Sequence, residues 1–193
     1  MNTPKILAFA GSTRTASYNK QLVRFAAEAA RAAGAEVTLL DLRDYPLPLF
    51  DGDLEEQQGL PENAKKLKAI FREHNGLLIA SPEYNSSLTA VLKNTIDWVS
   101  RAESDDEPAL AAYHGKAAVL ISASPGALGG LRGLVHLRAI LGNIGVIVLP
   151  DQVAVPKAHE VFDETGGLKD ERSAKQVTRV VQGLVDFLKK HLG

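Results

Sequence analysis

The sequence predicts a three-layer α/β sandwich, one five-stranded parallel sheet with helices on both faces. Three observations carry that expectation. Five short apolar runs recur along the chain, segments with apolar residues at helical spacing separate them, and no linker, repeat or low-complexity tract interrupts the alternation. Short apolar runs without polar alternation suit strands buried on both faces, and consecutive parallel strands need helical, right-handed crossovers.

The first run, Ile6-Leu7-Ala8-Phe9-Ala10, is closed by Gly11 and reads as a strand. From Ser17 to Ala33, Leu22, Phe25, Ala26, Ala29 and Ala30 fall at helical spacing, and Gly34 is a natural C-terminal stop. Val37 to Leu40 is the second strand. The polar, Pro-rich stretch from Asp41 to Leu60 reads as a surface loop. Pro61 suits a first helical turn and opens a helix to about His74, with Leu67, Ile70 and Phe71 inward. Gly76 to Ala80 is the third strand and runs straight into Ser81-Pro82. Leu88 to Ser100 is a helix with Leu92, Ile96 and Val99 on one face, and the charged segment Ser104 to Pro108 reads as a solvated loop. Ala117 to Ser122 is the fourth strand, Gly130 to Leu141 a helix and Val146 to Leu149 the fifth strand. Asp170 to His191 closes the chain with an amphipathic helix, apolar at Val177, Val180, Val181, Leu184, Phe187 and Leu188.

At 193 residues the chain suits a single domain, expected over residues 1–193. Its 22 basic and 23 acidic residues leave a net charge of -1, which gives no field for gathering nucleic acid or an anionic membrane. The absence of cysteine excludes disulfides, thiolate nucleophiles, cysteine-ligated zinc and iron–sulfur clusters. Redox chemistry would therefore rest on a bound organic cofactor. The five histidines are scattered without metal-ligand spacing and read as surface or cap residues. No segment approaches the roughly 20 apolar residues of a membrane helix, and the N-terminal run lacks the length and cleavage site of a signal peptide, so a cytoplasmic location is expected.

In an open α/β sheet, ligands bind beyond the carboxyl ends of the strands, where the strand order reverses. The loops after strands one, three and four are the places to look. The first reads Gly11-Ser12-Thr13-Arg14-Thr15-Ala16-Ser17-Tyr18-Asn19 and enters a helix. A helix N-terminus offers unpaired N–H groups and the positive end of the dipole to an anion. Ser12, Thr13, Ser17 and Asn19 add donors and Arg14 a forked charge. Neither the Walker pattern nor the three-glycine dinucleotide pattern is present, so a terminal monophosphate, as in FMN, fits better than a buried pyrophosphate. The alternative is a plain turn with Ser17 as an N-cap.

The second loop is Ser81-Pro82-Glu83-Tyr84-Asn85-Ser86-Ser87. Pro82 fixes the backbone, Glu83 and Asn85 offer groups for ribityl hydroxyls or ring edges, and Tyr84 can flank an aromatic ring. The alternative is a polar helix-entry turn capped by Ser86 or Ser87. The third loop, Ser122 to Gly130, holds Ser124, Gly126, Gly129 and Gly130, whose backbone N–H groups can approach a ring carbonyl or simply form a tight turn.

Gly11-Ser12-Thr13-Arg14, Ser17 and Asn19 resemble the first signature of the NADPH-dependent FMN reductase family. Ser81-Pro82-Glu83-Tyr84-Asn85, with Leu92-Lys93-Asn94 and Ile96-Asp97-Trp98, resembles its second. The resemblance implies a flavodoxin-like sandwich with strand order 2-1-3-4-5, FMN as cofactor and NADPH or NADH as electron donor. It places Ser12, Arg14, Ser17 and Asn19 at the phosphate, with Tyr18 a further cofactor-binding residue. Pro82, Glu83, Tyr84, Asn85 and Ser86 would line the ribityl chain and ring, and Ser124, Gly126, Gly129 and Gly130 the ring end. Lys93, Asn94, Asp97 and Trp98 are assigned mainly to packing and subunit contacts, with Asn94 and Asp97 as candidate hydrogen-bonders. No catalytic side chain is expected, because flavin N5 carries the chemistry. The acceptor would be a quinone, with chromate, azo compounds or free flavin as alternatives, and the assembly a homodimer or homotetramer built on residues 88–101 and 41–60. A flavodoxin-type carrier, or a flavin redox sensor without turnover, is the competing reading, and the balanced charge disfavours the carrier. Arg132 would meet a nicotinamide phosphate or a neighbouring subunit.

Overall fold

A computed structural model describes residues 2–163 and 165–191. Its single sheet has the order β2-β1-β3-β4-β5, with every neighbouring pair parallel. The strands are β1 Lys5–Ala10, β2 Glu36–Leu40, β3 Gly76–Ala80, β4 Ala117–Ala123 and β5 Ile147–Val155. The helices are α1 Tyr18–Ala32, α2 Gly52–Gln58, α3 Glu62–Arg72, α4 Ala90–Val99, α5 Leu131–Asn143, α6 Ala158–Val161 and α7 Glu171–His191. This is the flavodoxin-like sandwich that the sequence predicts.

Strand alternation sorts the core into two layers. Ile6, Ala8, Ala10, Leu78, Ala80, Ala117, Val119 and Ile121 face α1 and α7, where Leu22, Ala26, Ala30, Val181 and Leu184 meet them. Leu7, Phe9, Leu77, Ile79, Ala118 and Leu120 face α3, α4 and α5 through Leu67, Phe71, Leu92, Ile96, Leu134 and Leu137. Each of the large ones is fully or almost fully buried, contributing about 2 kcal/mol per side chain. The central strands β3 and β4 are buried along their whole length, whereas the edge strand β2 is largely exposed. That difference is why the central strands read as unbroken apolar runs.

Three expectations are corrected. The 41–60 stretch is not all loop: it holds a 3-10 turn at Leu42–Asp44 and the short helix α2, capped by Asp51 through the N–H groups of Asp53 and Leu54. No residue of α2 is buried, so it leaves no apolar period to detect. The fifth strand does not stop at Leu149. Ala118 pairs with Val148 but Leu120 with Gln152, so β5 bulges at Leu149-Pro150-Asp151 and continues. Pro150 cannot donate to a ladder and reads as a terminator, while the Arg138 guanidinium collects the carbonyls of Val148, Leu149 and Pro150. The charged 104–108 segment is also more than solvated loop. The Glu107 side chain is 8% exposed and accepts from Lys68, itself 1% exposed, and from the Glu103 N–H. No helix among the described residues is long and apolar enough to cross a membrane.

The turn after β4 depends on two glycines in left-handed conformation, Gly129 at φ +63 and Gly130 at φ +94. A Cβ on Gly129 would stand 2.7 Å from the Val155 carbonyl carbon and 2.8 Å from Pro156 N, backbone that cannot move aside. Gly129→Ala is therefore expected to cost about 3 kcal/mol, read as a lower denaturant midpoint at unchanged slope.

Candidate functional site

The cleft exists because the chain leaves neighbouring strands toward opposite layers. From β1 it passes to α1 on one face and from β3 to α4 on the other, so the loops after these adjacent strands diverge. Three loops line one solvent-open cleft there: Ser12, Arg14, Ser17, Tyr18 and Asn19 from the first, Pro82, Glu83 and Tyr84 from the second, and Ala123, Ser124 and Pro125 from the third. Asn85, Ser86, Gly126, Gly129 and Gly130 do not line it.

At the first loop, the Gly11 N–H extends the ladder to the Ala80 carbonyl at 2.9 Å, and its own carbonyl accepts from Thr89 Oγ1 at 2.6 Å. A Cβ on Gly11 would lie 2.9 Å from Leu92 Cδ2, so glycine lets α4 approach this closely. Ser17 occupies the N-cap position of α1 in extended conformation, yet its side chain makes no capping hydrogen bond. No acidic residue stands in the first turn. A 15-residue helix thus presents uncapped N–H groups, the Ser12 and Ser17 hydroxyls and the exposed Arg14 at one end of the cleft. These donors fit the phosphate of FMN. Asn19 has a different task. Its amide spans the Ala123 backbone, donating to the carbonyl at 2.8 Å and accepting from the N–H at 3.0 Å. It locks α1 to the end of β4.

The second loop contains a tight turn in which Tyr84 and Ser87 exchange backbone hydrogen bonds at 2.9 and 3.1 Å. Its central residues, Asn85 at φ +50 and Ser86 at φ +68, are both left-handed, a conformation that costs non-glycine residues energy. The turn leaves Tyr84 53% exposed. Neither Ser86 nor Ser87 caps α4; Thr89 does, through the Leu92 N–H at 3.2 Å. Glu83 is turned toward α5. Its side chain, 8% exposed, accepts from Arg132 Nε at 2.8 Å, from Arg132 Nη2 at 2.5 Å and from the Gly133 N–H at 3.1 Å. Arg132 is thereby held within its own chain. In the third loop, Ser122 Oγ donates to the Gly129 carbonyl at 2.7 Å and Ser124 Oγ accepts from the Gly126 N–H at 3.2 Å.

The sequence-family model described as NADPH-dependent FMN reductase matches residues 4–160. The chain belongs to that family. It is 29% identical over 188 residues to a quinone reductase of Escherichia coli K12, covering 96% of both chains. It is 32% identical over 190 residues to an NAD(P)H-dependent FMN reductase of Pseudomonas aeruginosa, covering 98% of this chain and 97% of that one. Among solved structures, the flavoenzyme NAD(P)H:(acceptor) oxidoreductase FerB of Paracoccus denitrificans aligns with a TM-score of 0.81 at 28% identity, over 98% of this chain and 99% of that one. The protein is an NAD(P)H-dependent oxidoreductase of the FMN-dependent kind.

Several residues that shape the reductase's cleft carry no motif. Arg43, in the 3-10 turn after β2, reaches Thr13 and Thr15 in the first loop. Lys20 pairs with Asp41 at 2.6 Å beside that turn. Thr89 had a detectable signal, a hydroxyl residue just ahead of an apolar helical run. Arg43 had none, because its contacts lie 28 and 30 residues away in sequence. Asn94 and Trp98 do pack, and against their own chain: Asn94 Nδ2 and Trp98 Nε1 both donate to the Pro48 carbonyl, at 2.8 and 2.9 Å.

Burial works against ionisation of Glu83, but the Arg132 hydrogen bond, the Gly133 N–H and the Arg132 charge outweigh it and hold the carboxyl below its ordinary 4.5. The unfolded chain therefore takes up this proton first as pH falls. The contribution is fully present above about pH 4.5 and is lost as pH drops through the lowered folded-state value. Glu83→Gln should melt below the parent at pH 7, and the gap should close in melts taken under pH 4.5.

Proposed function

We propose that this reductase binds FMN in the three-loop cleft and passes electrons from NADPH or NADH to a quinone. The observation that carries this reading is the uncapped N-terminus of α1, which converges with Ser12, Arg14 and Ser17 on a cleft whose other walls come from the loops after β3 and β4. The α1 N–H groups, the Ser12 and Ser17 hydroxyls and Arg14 would hold the FMN phosphate. Pro82 and Tyr84 from the loop after β3, and Ser124 and Pro125 from the loop after β4, would line its ribityl chain and ring. FMN, when bound, supplies the hydride acceptor and donor that no side chain provides. The protein's own residues bind and orient, and none is asked to move a proton.

One open mouth serves donor and acceptor in turn, which implies ping-pong kinetics. Chromate, azo compounds and free flavin are further acceptors that such a mouth admits. The relatives named for quinone and FMN reduction support this reading. We place the activity in the cytoplasm and in one flavodoxin-like domain over residues 1–193. Mixing the FMN-loaded protein with NADPH under anaerobic conditions should bleach the flavin absorbance rapidly, and added quinone should restore it. No bleaching without a partner enzyme would make it a carrier instead. Arg14→Ala should weaken FMN retention at least tenfold, about the worth of one charge-assisted contact, while leaving the fold intact. Assays with both nicotinamides and a panel of acceptors then rank the substrates.

Assembly as a homodimer or homotetramer is part of the proposal, with α5 added to residues 88–101 and 41–60 as contact surface. The 46–50 segment already covers part of α4 through Asn94 and Trp98. Apolar side chains are bare at Leu49 of that segment, 78% exposed, and as a cluster on α5, where Leu131 and Val135 are 41% and 56% exposed, next to Leu128 at 51%. Its cations are occupied internally, Arg132 by Glu83 and Arg138 by β5 carbonyls. Such a face meets its own copy across a twofold axis without opposing charges. Val135→Glu should shift the mass measured by light scattering to that of a monomer, and a monomeric parent at every concentration rules the contact out.

A further inference from the structure

The first loop of the cleft is exposed from Thr13 to Ala16. Inside it, the Arg14 N–H donates to Ser12 Oγ at 3.3 Å. Among the described residues, the hydrogen bonds that reach positions 13–16 from outside both come from Arg43. Its Nε donates to the Thr13 carbonyl at 2.8 Å and its Nη1 to Thr15 Oγ1 at 2.7 Å. Arg43 is itself held. Its N–H donates to Asp41 Oδ1 at 3.0 Å, and Asp41 Oδ2 accepts from Lys20 Nζ, a side chain 8% exposed in the first turn of α1. The frame runs from α1 through Asp41 and Arg43 back to the loop that precedes α1.

We propose that Arg43 is a positioning residue for phosphate recognition, clamping Thr13 and Thr15 so that Ser12, Arg14 and Ser17 converge on the phosphate monoester of FMN. The inference rests on the reading of the cleft as the FMN site. An exposed loop without such a clamp samples many backbone states, and ordering it would be charged against ligand binding. A planar guanidinium reaches a carbonyl and a hydroxyl together in fixed geometry, which an ammonium does not. Arg43 also forms no ion pair within 4 Å among the described residues, and the Asp41 carboxylate on which its charge acts is already paired with Lys20, so part of that charge adds to that of Arg14 beside the anion. The consequence is selective: Arg43 governs affinity for the phosphate and leaves recognition of the ring unchanged.

Flavin fluorescence titrations of the FMN-stripped protein with FMN and with riboflavin, which lacks the phosphate, separate these contributions. Wild type should prefer FMN. Arg43→Met should raise the Kd for FMN about tenfold and leave the Kd for riboflavin within twofold. Arg43→Lys, which keeps the charge and loses the double reach, should recover only part of the loss. Thr15→Val, an exposed change that removes one acceptor, should show a smaller loss of the same kind. Equal losses for both flavins, no loss for FMN, or full recovery with lysine would overturn the clamp. A wild type that binds both flavins equally would instead overturn the phosphate site, before any variant is compared.

Discussion

The reversal of strand order between β1 and β3 is the constraint on which the rest of this structure depends. Both strands lie in the buried centre of the sheet and pair in parallel from Ile6–Gly76 to Ala10–Ala80. Because the chain leaves β1 toward the α1 layer and β3 toward the α4 layer, neither loop can cover the carboxyl ends of the strands. A gap remains, and the ladder continues one step into it through the Gly11 N–H on the Ala80 carbonyl and the Ser81 N–H on the Ile121 carbonyl. The cleft floor is therefore tied directly to the sheet. Loops anchored this way hold ligand-binding groups without paying for their ordering at each binding event.

Within that gap most buried polar side chains are spent on backbone. Asn19 holds both backbone groups of Ala123, Thr89 holds the Gly11 carbonyl, Ser122 holds the Gly129 carbonyl and Glu83 holds the Gly133 N–H. Each would be costly to leave unpaired. Spending them internally leaves the α1 N–H groups and a few hydroxyls free to face the ligand. The cofactor supplies the reaction, so the demand on the protein is geometry, and buried polar residues that fix backbone meet that demand.

Sequence legibility followed the range of the interactions. The strands β1, β3 and β4 could be read because they are buried on both faces and show as apolar runs. The donor-rich loop after β1, the proposed phosphate site, could be read because its residues are consecutive. Glu83 was visible as a member of its motif, but its turn toward Arg132 was not, since that contact spans 49 residues and depends on how α5 packs beside the loop. The continuation of β5 was hidden by Pro150, and the burial of Glu107 by the surrounding acidic run Asp105-Asp106. In both cases a long-range partner, Arg138 or Lys68, reverses what the local residues suggest.

Charge shows the same division between local and global. The chain carries a net -1, which says nothing about attraction of an anion to any one place. Around the first loop, however, Lys20 is paired with Asp41, while among the described residues Arg14 and Arg43 form no ion pair within 4 Å, although the Arg43 charge also acts on Asp41. Asp41 is held below its ordinary 3.8: burial opposes its ionisation, and the Lys20 hydrogen bond and the Arg43 N–H overcome that opposition. It stays charged at neutral pH and cancels the cation nearest to it. The two remaining guanidiniums and the α1 dipole then point one local field at the cleft mouth. On the proposed reading of the cleft, a nearly neutral protein thus keeps a local anion site without becoming a general binder of polyanions.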